Sequence, residues 1–280
     1  MVAYVTGPGP HIRAATSVPK RCWVTAAALL PLCMAALYLS GWPVLRVLGS
    51  AVSAALLAEW LAKKIFQKPL SLHDGHSLLM GLLFGCLCPL SMPAWMVALS
   101  CGFGIFVGKE LFGGMGQYVF HPALVGQAFL YVNFPQADLM RSIAGLLDGS
   151  FTGTLALLGG GLFLLSRQLF YWEIPLLFAG VLTAGAFLLG LDLSAAVLSS
   201  GILFSAFFLI PEPATLPMAR WGARGYAMGA GFLILGLMGG GAQAFYVLPF
   251  ALLVMNALTP WIDARIRPRH ATSISEQPYL

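Results

Sequence analysis

Four short polar clusters stand out in a chain that is otherwise apolar. His73-Asp74-Gly75-His76-Ser77 carries imidazole and carboxylate, the side chains that bind divalent metals. It has no third ligand at helical spacing, so no metal site is assigned, and Asp74 or Ser77 reads as the cap of a helix. Gly108-Lys109-Glu110-Leu111-Phe112-Gly113-Gly114-Met115-Gly116-Gln117 places three glycines within four positions, at 113, 114 and 116, where backbone amides can approach an anionic group, with Lys109 as counter-charge. A tight connection between helices explains the same residues, and the run is not a Walker A loop. In Pro211-Glu212-Pro213-Ala214-Thr215-Leu216-Pro217, proline stops a helix and Glu212 is expected to pair with Arg220 or Arg224 at the cytoplasmic surface. Asp148-Gly149-Ser150-Phe151-Thr152-Gly153-Thr154 offers hydroxyls on a turn, with Thr152 or Ser150 capping the helix that follows. Glu59 is a further candidate, because an ionisable group deep in an apolar segment is expensive. An i,i+4 pair with Lys63, snorkelled to the interface, is its alternative reading. No Ser/His/Asp triad, CxxC pair or nucleotide fingerprint occurs, and no catalytic residue is assigned.

The elements that must position these clusters follow from composition. The 280 residues are 59% hydrophobic and 9% charged, against roughly a quarter charged in a soluble domain. So few charges cannot clothe a water-soluble globule, so the exterior must be lipid. Apolar stretches of about twenty residues fall near 23–41, 43–62, 76–91, 93–111, 118–134, 154–170, 174–190, 193–210, 222–240 and 244–262. The expected fold is an all-α polytopic membrane protein of about ten spanning helices. Residues 1–22 form a cytoplasmic segment, 23–262 the membrane domain and 263–280 a cytoplasmic tail. His121 and Pro122 interrupt the fifth span, which is expected to be broken or re-entrant. Residues 1–22 lack an apolar core followed by a small-residue cleavage site, so the run from Trp23 reads as the first span.

Both termini are assigned to the cytoplasm. In that orientation only Arg46 and Arg141 among the lysines and arginines fall outside, an asymmetry that agrees with the positive-inside rule. The net charge of +5 is scattered between spans rather than gathered in a stripe, which excludes nucleic acid as a partner. The five cysteines lie in or beside apolar segments and read as small buried hydrophobes. Glycine-rich helix segments such as 102–104, 159–161 and 229–231 suit close helix packing in lipid, or approach to a flat ligand. Segments 71–110 and 193–230 share a pattern of small-residue helix, proline-rich loop and second small-residue helix, a weak internal repeat.

The runs from Asp74, Met92, Gly108 and Phe120, with Phe207-Phe208-Leu209, Pro213-Ala214-Thr215, Asn256, Pro260 and Asp263, resemble the D-type (RnfD) member of the Rnf complex over about nine tenths of the chain. The B-type (NqrB) member of the sodium-pumping NADH:quinone reductase is similar but carries a longer amino-terminal extension. The resemblance implies one component of a multi-pass pump in the bacterial inner membrane, coupling electron transfer between ferredoxin and NAD to Na⁺ or H⁺ movement beside subunits of the A, B, C, E and G types. It implies a flavin site and part of an ion path, without catalysis by this chain alone. It also implies FMN joined through its phosphate to a threonine in an Asp-x-x-Ser-Gly-Ala-Thr motif. Here Thr154 stands at that spacing from Asp148, with Thr152 beside it, but Phe151, Thr152 and Gly153 replace the Ser-Gly-Ala core. Either the motif is altered or the flavin loop is deleted, which leaves a non-covalent flavin or a flavin-less scaffold as alternatives. Lys109, Gly113, Gly114, Gly116 and Gln117 are the further candidates for flavin contact. Relatives usually have asparagines at the positions of Tyr118 and His121, and a Thr-Asp pair at Pro211-Glu212. A stand-alone secondary transporter, with its substrate at the broken fifth helix, is the alternative of a different class.

Overall fold

The computed structural model describes residues 17–135, 151–190, 200–239 and 244–266. Ten α-helices make up these parts: α1 (Val18–Ser40), α2 (Trp42–Ile65), α3 (His76–Leu87), α4 (Ala94–Ile105), α5 (Pro122–Asn133), α6 (Phe151–Ser166), α7 (Glu173–Leu189), α8 (Ser200–Phe204), α9 (Arg220–Gly239) and α10 (Ala244–Ile266). Among the described residues there is no strand. The chain is an all-α polytopic membrane protein, as its composition requires.

Local signals set the helix ends. Ser17 accepts from the Lys20 amide at the start of α1, and Gly41, with φ of 63°, divides α1 from α2. The first helix begins five residues before the expected span, at Val18. Before α3, Asp74 Oδ1 accepts from the His76 amide at 3.0 Å, while Gly75 turns through a positive φ against the Trp23 ring, which a Cβ would meet at 2.8 Å. Ser77 takes no part in this cap, because its hydroxyl lies one turn further in, against Lys109. The helix α6 already includes Phe151, so Thr152 lies within it and does not cap it. Ser150 is outside the described residues.

Among the described residues, three helices, α1, α2 and most of α10, are long and apolar enough to cross a membrane alone. By contrast α3 and α5 have 12 residues each, about 18 Å of helix against a hydrocarbon layer of about 30 Å. Each is prolonged by non-helical backbone: a 3₁₀ turn at Leu72–Asp74 precedes α3, and an extended His121 precedes Pro122 of α5. The expected break in the fifth span is therefore at residues 118–121. The helices α4 and α8 each end in a π turn, Phe106–Glu110 and Ser205–Leu209.

Packing gathers the described helices into two halves. In the first, α2 lies against α3 and α4, and α4 against α5; in the second, α7 lies against α9, and α9 against α10. The halves meet where α1 packs on α6 and α5 on α10. Several glycines sit where backbones touch. A Cβ on Gly104 would lie 2.5 Å from the Pro122 carbonyl oxygen, and one on Gly160 2.4 Å from that of Ala28. Gly159 faces open space, so not every glycine of the 159–161 run is needed for contact. Gly104→Ala is expected to cost about 1–3 kcal/mol through overpacking, read as a lower thermal midpoint in detergent, whereas Gly159→Ala should leave the midpoint unchanged.

Candidate functional site

Among the described residues, the cations assigned to the cytoplasm lie at helix ends that contacts tie together. Lys68 donates to the Gly113 carbonyl at 3.0 Å, the Trp23 indole to the His73 carbonyl at 3.2 Å, and the Met218 amide to Asp263 at 3.0 Å. At the other end Arg46 donates to the carbonyls of Leu90 and Met92, holding the turn after α3.

Inside the cationic end lies a sealed charge cluster. Glu59 of α2 accepts from Lys63 at 2.7 Å and pairs with Lys109 at 3.2 Å. Lys109 also pairs with Glu110 at 3.4 Å and donates to the Ser77 hydroxyl at 2.9 Å. Glu59 and Lys109 are both 0% exposed. The π turn of α4 widens the helix and brings the consecutive Lys109 and Glu110 inward together. Two carboxylates facing two ammonium groups offset each other's desolvation. The Glu59–Lys63 pair expected from spacing is present, but it is buried rather than snorkelled: Lys63 is 7% exposed, and it donates inward to the Ser71 hydroxyl. Glu59 Oε2 and both Glu110 oxygens find no hydrogen-bond partner among the described residues.

Beside this cluster, a chamber of about 300 Å³ opens between the two halves. From the first half, α1 contributes Arg21 and Cys22, α3 contributes His76, Leu79 and Met80, and the loop after α4 contributes Gly116 and Tyr118. From the second come Leu169, Phe207, Phe208 and Glu212. A hydrogen-bonded chain crosses this seam: Tyr118 donates to Glu212 Oε1 at 2.6 Å, and His76 Nε2 lies 2.7 Å from the Tyr118 oxygen. Thr215 donates to Glu212 Oε2 at 3.2 Å. Since the one phenolic proton goes to Glu212, Tyr118 must accept from His76, which puts the proton of a neutral ring on Nε2. His76 Nδ1 is then an acceptor, and it has no partner among the described residues.

The expected pairing of Glu212 with an arginine is not what forms. Arg220 and Arg224 bond instead to Glu173 of α7, at 3.0 and 2.6 Å, since they occupy the first turns of α9, which packs on α7. Pro211 ends the π turn of α8 and leaves Glu212 facing the seam. Tyr118 and Glu212, far apart along the chain, are therefore in direct contact. Among the glycine-loop candidates, Gly116 lines the chamber. Gly113 and Gly114 take positive φ and direct their amides to the carbonyls of Glu110 and Lys109, while Gln117 folds over Gly113 where a Cβ would sit. Lys109 faces the charge cluster. Thr152 and Thr154 stand in the first turn of α6, at the opposite end of that helix from Leu164 and Leu169, which border the chamber. Asp148 is outside the described residues. Sequence reasoning counted Arg21 only toward topology and passed over Glu173; neither has a local signal that marks its role.

A polytopic helical membrane protein with a ligand-sized chamber between its two halves is the class these features define. The model of the NQR2, RnfD, RnfE family matches residues 5–149 and 136–272, and the chain belongs to that family. It is 31% identical to the D component of an ion-translocating oxidoreductase complex from Methanosarcina acetivorans, over 99% of this chain and 100% of the relative. It is 29% identical to the D component of a proton-translocating ferredoxin:NAD⁺ oxidoreductase complex from Clostridium ljungdahlii, covering 92% of this chain and 93% of that one. The D component of a Na⁺-translocating ferredoxin:NAD⁺ oxidoreductase complex from Acetobacterium woodii is 28% identical over 93% and 92%.

Lys109→Met leaves two buried carboxylates facing one ammonium group, and a loss of about 3–5 kcal/mol is expected, measured as a fall in thermal midpoint. Tyr118→Phe removes the proton that Glu212 accepts and should cost about 1–3 kcal/mol. Unchanged melting of either variant would contradict the bonding described.

Proposed function

We propose that this chain is the D component of an ion-translocating ferredoxin:NAD⁺ oxidoreductase complex in a bacterial cytoplasmic membrane, assembled with subunits of the A, B, C, E and G types. The observation that carries this reading is similarity to components so named along nearly the whole chain, at 29% identity over 92% of it. The chain's part is to hold a flavin and to line part of the ion path. When bound, a flavin supplies a carrier that takes up one or two electrons.

The chamber supports this reading. Its walls of Leu79, Met80, Phe207 and Phe208 suit a flat apolar ring, and the bare His76 Nδ1 suits a ring N–H. These residues exclude water and orient the ring, while the chain from His76 through Tyr118 to Glu212 fixes the acceptor. For the ion path the available charges are Glu59 and Glu110, with Lys63 and Lys109 holding them; an intramembrane carboxylate with a free oxygen is a functional position by default. Thr154, half-buried in the first turn of α6, is the residue proposed to carry FMN as a phosphoester.

Membranes from a strain lacking this chain are expected to lose ion uptake coupled to ferredoxin:NAD⁺ electron transfer; retained coupling would leave the stand-alone transporter. On a denaturing gel of the purified complex, the band of this chain should fluoresce as a flavoprotein and Thr154→Ala should abolish that signal. A dark band in the unaltered protein would remove the covalent flavin.

A further inference from the structure

The five cysteines of the chain are all free thiols. Cys88 donates to the Pro89 carbonyl at 3.8 Å and Cys101 to the Ala51 carbonyl at 3.2 Å, so each has a backbone partner in the core. Cys33 and Cys86 behave differently, because their sulfurs face each other at 4.0 Å. Cys33 stands on α1 and Cys86 on α3, two helices that pack together. Neither lines the chamber, whose last residues on these helices are Thr25 and Leu83. Cys86 is 0% exposed, whereas Cys33 is half-buried. Leu30 and Leu37, at i−3 and i+4 from Cys33 on the same side of α1, are exposed, as is Met34 beside it. One thiol of the pair therefore borders the apolar outer surface, and the other is sealed behind it.

A disulfide between them is neutral, so hydrocarbon does not oppose it as it would a charged product. An S–S bond of about 2.05 Å asks the sulfurs to close by about 2 Å, a movement for side-chain rotation on two helices already in contact. We propose that Cys33 and Cys86 form a redox modification site, at which a hydroperoxide dissolved in the bilayer oxidises Cys33 and Cys86 resolves the product to a disulfide. In the first step the Cys33 sulfur takes the terminal oxygen of the hydroperoxide, which gives a sulfenic acid and releases the alcohol. In the second, the Cys86 sulfur displaces the hydroxyl of the sulfenic acid, which leaves with the Cys86 proton as water. The two thiols give up two electrons, and the hydroperoxide is reduced to alcohol and water. Burial suits Cys86 to the second step, since Cys33 is the thiol the oxidant meets first. The bond joins α1 to α3. Because α1 also packs on α6, it ties the helix that links the halves to the first of them.

The test is made on the full chain in its own membranes, with cumene hydroperoxide as the lipid-soluble oxidant. After treatment the chain is denatured in excess maleimide, and its mass gives the number of thiols labelled. The oxidised parent is expected to carry two fewer labels than the untreated parent, and dithiothreitol before labelling should restore both. Cys33→Ala should lose no label on oxidation, because Cys86 is out of the oxidant's reach. Cys86→Ala should lose one label that dithiothreitol does not restore, because an unresolved sulfenic acid goes on to sulfinic acid. An oxidised parent that keeps every label would overturn the proposal. So would a reversible loss of two labels that persists in either variant, since another pair would then be responsible. A loss in the parent that dithiothreitol cannot reverse would overturn the resolving role of Cys86.

Discussion

A polar group taken into hydrocarbon must find its partner within the protein, at a penalty of several kcal/mol otherwise, and the arrangement of this bundle depends on meeting that demand at its cationic end. Glu59 could not stay ionised inside α2 without Lys63 one turn on and Lys109 reaching from α4. Lys109 in turn needs Ser77 at the start of α3. One charge thus fixes the relative positions of three helices. The π turn of α4 belongs to the same solution, because an ordinary turn would point one of Lys109 and Glu110 toward lipid.

The seam between the halves obeys the same rule with neutral groups. Tyr118 stands on the irregular backbone before α5, and Glu212 on the proline-bounded turn after α8, so neither lies within a regular helix. Such backbone is tolerated at depth where it borders a cavity, and here it borders the chamber. A phenol at one position and a carboxylate at the other satisfy each other at 2.6 Å. The Tyr118–Glu212 bond spans the seam between the halves. It gives the chamber a hydrogen-bonded chain that ends on a bare imidazole nitrogen.

Between these polar ties the bundle is held by close backbone contact, as expected where lipid is as apolar as leucine. Gly104 and Gly126 let α4 and α5 approach until a Cβ on either would meet the other helix's backbone. Gly160 does the same for α6 against α1, which is one of the contacts joining the halves. The short α3 and α5 leave the space that their non-helical extensions and the chamber occupy.

Much was legible in the sequence because it follows from quantities that one dimension carries. Apolar run length gave an all-α membrane bundle. An i,i+4 spacing gave the Glu59–Lys63 pair, and Pro122 gave the break before α5. What sequence could not supply were partners far apart along the chain: Lys109 for Glu59, Tyr118 rather than an arginine for Glu212, and Glu173 for Arg220 and Arg224. Spacing along a helix defines which neighbours share a face, but not which other helix that face meets. The residue types at the chamber were therefore set by the sequence alone, whereas their convergence, and the placing of Arg21 at its mouth, were decided by how the two halves pack.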